Sequence, residues 1–155
     1  MFDWSEYERW MAQAKHTLQS MRADMEFGSY GWACFKAQQA AELALKAFLR
    51  GAGRPAFGRD LRELALAASE HCGPLGDLME DVLLLAKFYI PPRYPGAFPG
   101  GAPYQFYTRG EAEKAFRSAS RVLEWVERCA ERLRETAEGE SGGEGQSDRG
   151  GQEGG

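Results

Sequence analysis

The residues best suited to chemistry lie in one short run, Tyr89-Ile-Pro-Pro-Arg-Tyr-Pro95. Arg93 carries a planar fork of donors that matches phosphate oxygens, and Tyr89 and Tyr94 are rings on which a base can stack. This combination points to recognition of a phosphate-bearing ligand. The competing reading is structural: the tyrosines pack the segment onto the rest of the chain and Arg93 pairs with a carboxylate. Lys46 is a further cation for such a site, although a lysine on an internal helix also reaches the surface by extending its stem. A third group, Lys114, Arg117, Arg121, Arg128 and Arg132 with Trp125, forms one stripe at about 100° per residue. A basic stripe with an aromatic can contact nucleic acid. It can equally be a solvated face, because Glu113 with Arg117 and Glu124 with Arg128 have the i,i+4 spacing of helical ion pairs.

Other chemistries find no support. The sequence holds no phosphate-binding glycine loop of the P-loop or dinucleotide type, no HExxH and no serine nucleophile elbow. His16 and His71 are the only histidines, and neither has a ligand partner at metal-binding spacing, so no metal and no cofactor are expected. Cys34, Cys72 and Cys129 are too few and too scattered for a disulfide framework or paired zinc ligands; each reads as a small buried residue.

Helices must position these groups. Tyr7, Trp10, Met11, Ala14, Leu18, Met21 and Met25 recur at spacings of three and four, predicting a helix over 4–26 that opens on an Asp3/Glu6 capping box. Residues 30–50 are apolar around most of the circumference and rich in alanine, as a central helix covered on several sides would be. Gly51-Ala-Gly53-Arg-Pro55 ends it. A short helix is expected over 60–70, capped by Asp60 and Glu63, and another over 75–89 after Gly73-Pro74. Residues 90–108 hold five of the seven prolines and many aromatics, so this segment reads as a long loop packed on a helical bundle. Thr108 and Glu111 cap a final helix expected to run to about Ala137, whose core arc includes Ala112, Ala115, Phe116, Ala119, Val122 and Val126.

The chain has 155 residues and a formal net charge of −4. Residues 138–155 alone account for that charge and contain 8 of the 19 glycines, so they read as a disordered acidic tail. The domain over 1–137 is formally neutral, which excludes binding of nucleic acid by net charge alone and leaves any phosphate site local. No apolar run reaches the ~20 residues of a membrane helix, and the N-terminus lacks the basic and apolar regions of a secretory signal. A cytoplasmic protein that does not engage a membrane is expected.

Residues 37–49, AQQAAELALKAFL, followed by a glycine break and DLREL at Asp60–Leu64, resemble the HEPN domain family. The run YIPPRYP resembles the YIPxRYP segment of its small stand-alone prokaryotic members, and the order of helices matches over about residues 3–135. The resemblance implies an all-α, up-and-down bundle of four or five helices, with the long proline- and aromatic-rich loop before the last helix. It also implies a homodimer that handles a nucleotide or RNA and acts with a minimal nucleotidyltransferase, as in toxin–antitoxin pairs. Ribonuclease members use an Arg-x4–6-His motif near the start of the last conserved helix, where arginine holds phosphate and histidine moves protons. Here no histidine follows His71, and the spacing of Arg9 and His16 falls in the first helix. The expectation is therefore a binding module without ribonuclease activity; the alternative is a divergent metal-independent endoribonuclease toxin.

Overall fold

The structure, a computed structural model, describes residues 1–144 and, among them, contains helices and no strand. Helix α1 spans Trp4–Glu26, α2 Tyr30–Gly51, α3 Leu61–Cys72, α4 Leu78–Ala86 and α5 Arg109–Glu144. Local chemistry sets most boundaries. Asp3 Oδ1 accepts the Glu6 amide at 3.0 Å at the start of α1, and Asp60 Oδ1 accepts the amides of Arg62 and Glu63 at the start of α3. Thr108 Oγ1 accepts the Glu111 amide at 3.2 Å while Glu111 Oε1 accepts the Thr108 amide at 3.3 Å, a complete capping box.

Helix α2 is the axis of the bundle and packs against α1, α3, α4 and α5. Its alanines at 33, 37, 40, 41, 44 and 47 are fully buried and let the neighbouring backbones come close. Phe48, Leu45 and Leu49 fill the remaining space, and each such side chain withdrawn from water stabilises the fold by about 1.5–3 kcal/mol. At its C-terminus, Gly51 lies against the ring of Phe2, where a Cβ would overlap the ring carbons. The Asp3 amide donates to the Gly51 carbonyl at 2.7 Å, fastening the start of α1 to the end of α2.

Three expectations change. Helix α4 is shorter than 75–89, because Gly76 adopts φ +56° and residues 75–80 first pass through i→i+3 turns. Its far end tightens in the same way, with the Phe88 amide donating to the Leu85 carbonyl at 3.0 Å. The loop before α5 contains two short 3₁₀ turns, Pro95–Ala97 and Pro103–Gln105. Helix α5 passes the expected end at Ala137 and continues to Glu144; of the tail expected at 138–155, residues 145–155 lie outside the described ones.

The cysteine reading is corrected outright. Cys34 is buried and free, but Cys72 and Cys129 form a disulfide with Cα atoms 5.4 Å apart. They are 57 positions apart in sequence and meet only because the tertiary fold brings the last residue of α3 to α5. Asp81 adds a polar tie between α4 and α5: its Oδ1 accepts from Ser118 Oγ at 2.6 Å and Arg121 Nη1 at 2.7 Å. No described helix is long and apolar enough to cross a membrane.

Candidate functional site

Arg93 sits in the turn that leaves α4, with its amide donating to the Ile90 carbonyl at 3.0 Å. Its Nε donates to the Tyr89 carbonyl at 2.7 Å, which fixes the guanidinium close to its own backbone. The guanidinium carbon then lies 4.2 Å from the ring centre of Phe35, 4.5 Å from that of Tyr89 and 5.0 Å from that of Tyr94. Phe35 and Tyr89 are themselves 6.2 Å apart, so Arg93 occupies the notch between them. The carboxylate partner that the competing structural reading gave Arg93 is not found among the described residues; rings and a carbonyl hold it instead. Its Nη donors are left to face solvent or a ligand.

The support under this arrangement is aromatic and proline-rich, as the composition of the loop implied. Phe98 stacks on Phe106 at 4.7 Å, and Tyr107 bridges Phe98 and Phe88 at 6.3 and 6.2 Å. Pro92 is buried over Gly31, where a Cβ would meet the Tyr107 ring at 3.3 Å and the Pro92 carbonyl at 3.5 Å. Gly31 thus lets the loop lie close against the first turn of α2. The pKa of Tyr107 is pushed up to about 12, first by burial and then by the neighbouring Cys34 and Glu111, so its phenol stays neutral in the packed loop. Arg109 Nε donates to the Tyr30 hydroxyl at 3.1 Å and joins the start of α5 to the start of α2.

A cleft of about 450 Å³ opens beside Arg93, between the start of α2 and the loop. Ser29, Gly31, Trp32, Pro92, Arg93 and Tyr104 are among its walls. Trp32 is 51% exposed and Tyr104 76%, so two rings stand open to a planar ligand next to a fixed cation. A second cleft of about 420 Å³ runs between α1 and α5, but its cations are already matched. There Lys15 pairs with Glu127 at 3.3 Å and Arg134 with Glu8 at 3.1 Å. Of these two clefts, the first is the one with charge to spare.

The structure unites Arg93, Tyr89 and Tyr94 and separates the other candidates. Lys46 lies eleven residues along α2 from Phe35, about 16 Å of axial rise, and pairs with Glu42 at 3.5 Å. The α5 stripe is not a continuous basic surface. Arg121 is committed to Asp81, Arg132 Nη2 donates to the Cys72 carbonyl at 3.2 Å, and Trp125 packs partly buried against the core. Lys114, Arg117 and Arg128 are exposed, and the pairs Glu113 with Arg117 and Glu124 with Arg128 do not form. Neither histidine contacts Arg93: His16 is exposed on α1, and His71 lies beside Arg54 and the Phe48 ring.

Sequence reasoning missed Phe35, Trp32, Tyr104 and Arg59. Trp32 and Phe35 could have been found as large rings outside the buried arc of α2. Arg59 could not, because its guanidinium reaches the Tyr89 ring, at 5.1 Å, only through the tertiary fold.

The relatives of the chain agree with this architecture. TT1696 from Thermus thermophilus is 41% identical, with a TM-score of 0.77 over 79% of this chain and 97% of that one. ST0689, described as an archaeal HEPN homologue, is 35% identical with a TM-score of 0.66, over 78% of this chain and 94% of its own. A HEPN domain protein from Thermotoga maritima is 33% identical with a TM-score of 0.66, over 80% of this chain and 98% of its own. No curated protein matches the sequence. The family model of the HEPN domain matches residues 7–129, which include every helix core and the whole loop around Arg93. On the helical bundle, the solved relatives and that match together, the chain belongs to the HEPN domain family.

Proposed function

We propose that the protein is a HEPN module that binds the phosphate of a nucleotide or RNA at Arg93, with Tyr89 and Tyr94 beside it. The observation that carries this reading is a guanidinium fixed against three rings with no carboxylate partner among the described residues. A cation so placed has lost conformational freedom before any ligand arrives and keeps donors for an anion. Trp32 and Tyr104 in the adjoining cleft give a base somewhere to stack. No histidine touches Arg93, so the site offers charge and stacking without the proton-moving group that a metal-independent ribonuclease uses.

Family membership supports the wider setting: a homodimer, with a minimal nucleotidyltransferase as its partner in a toxin–antitoxin-like pair. Calorimetric titration with AMP and with a short single-stranded RNA tests the binding function. Arg93→Gln is expected to weaken binding by about 1.5–3 kcal/mol, on the order of ten- to a hundredfold. Unchanged affinity in that variant, with its helical content intact, would reject the site. Copurification with a minimal nucleotidyltransferase, and the mass of the protein and of any complex in solution, test the assembly.

A further inference from the structure

Arg93 is not the only guanidinium on Tyr89. Arg59, from the segment leading into α3, lies 5.1 Å from the same ring centre, and Arg93 lies 4.5 Å from it. The two cations arrive from opposite ends of the α3–α4 segment, and each reaches the same phenol ring. Neither has a carboxylate within ion-pair distance among the described residues; of the other arginines over rings, Arg9, Arg50 and Arg134 pair with Glu6, Glu6 and Glu8, and Arg22, also without such a partner, lies alone over Phe116 at 5.9 Å. The acid next to Arg59, Asp60, is turned to the α3 amides of Arg62 and Glu63. Two like charges share a ring with nothing between them to neutralise either.

We propose that Arg59 and Arg93 form a two-arginine clamp around Tyr89 for a terminal phosphate, the phosphomonoester of a free nucleotide or of an RNA 5′ end. This rests on the phosphate-binding reading above and narrows it. Both guanidiniums are charged at any physiological pH. A phosphomonoester carries close to two negative charges near neutrality, its second ionisation falling near pH 6, while an internal diester carries one. The monoester is therefore the phosphate whose charge matches the clamp, and its three terminal oxygens can accept from two forks at once. The attached base is left to the rings of Trp32 and Tyr104 in the cleft on the other side of Arg93.

Calorimetric titration of the full chain with AMP, with 5′-phosphorylated oligoadenylate and with the same oligonucleotide bearing a 5′-hydroxyl tests the clamp. The terminal phosphate is expected to strengthen binding at least tenfold. Arg59→Gln is expected to lower affinity for the phosphorylated ligands about tenfold and to remove most of the difference between the phosphorylated and hydroxyl forms. Equal binding of AMP and the phosphorylated oligonucleotide identifies a free nucleotide as the ligand; tighter binding of the oligonucleotide identifies an RNA end. Arg59 is exposed and makes no hydrogen bond among the described residues, so the melting temperature of the variant should match that of the parent. If Arg93→Gln weakens binding and Arg59→Gln does not, the clamp is wrong and the single-arginine site stands. Equal affinity for the hydroxyl and phosphorylated oligonucleotides also overturns the clamp. If none of the three ligands binds the parent chain, both readings fall.

Discussion

Asp81 shows how one side chain can tie two helices. It is 7% exposed, and a single carboxylate oxygen accepts from both Ser118 and Arg121. Asp81→Ala leaves the buried Ser118 hydroxyl without its acceptor and Arg121 without its counter-ion. The expected loss is about 2–4 kcal/mol in urea unfolding, more than an exposed ion pair would give. Buried weak acids set a second residue-scale behaviour. Burial pushes the Cys34 thiol from its usual 9 up to about 12, and the Tyr7 and Tyr107 phenols from 10 up to about 12. Between those limits the unfolded chain releases protons that the folded chain retains. Stability from these groups is therefore complete below pH 9 and declines as pH rises toward 12. Urea midpoints measured from pH 8 to 11 should fall steadily above 9, and a flat profile would show that the three groups are accessible to solvent.

At the scale of the element, α2 makes demands that its neighbours must meet. Its alanine surface brings the surrounding helices in close, and Gly51 lets Phe2 lie across its end against Trp4, Tyr7 and Phe48. Gly51→Ala brings two opposed effects. Better helix propensity contributes about 1 kcal/mol, whereas displacing a packed ring costs about 1–3 kcal/mol. The clash involves backbone-anchored aromatic packing, so net destabilisation is expected, and a raised thermal midpoint would contradict it. The same element shows what was legible in the sequence. The bounds of α1 and α2 could be read almost to the residue, because capping and apolar spacing act within a turn or two of the chain. The bounds of α4 could not, since a positive φ at Gly76 and the 3₁₀ turns at both ends leave no periodic signature. Part of the candidate site was visible for the same reason: Tyr89, Arg93 and Tyr94 are neighbours in sequence. Phe35 and Arg59 come to Arg93 from α2 and from the approach to α3, and only packing joins them.

For the whole molecule, the Cys72 to Cys129 bond is the covalent constraint that the sequence did not disclose. By loop-closure entropy, a crosslink spanning 57 residues restricts the unfolded chain by about 4 kcal/mol. The Cys72→Ser/Cys129→Ser variant, or the reduced protein, should unfold at clearly lower urea concentration with helical content unchanged in water. An unaltered midpoint would mean that the bond adds nothing beyond the packing of α3 on α2 and α4. The enclosed stretch holds all of α4, the proline-rich loop and more than half of α5, and with them Tyr89, Arg93 and Tyr94. Those residues belong to a covalent ring closed through sulfur. A protease that nicks the ring once, at an exposed bond such as that after Tyr104, would open it without releasing a fragment. The cut protein would migrate as one species until a reductant separates it into two.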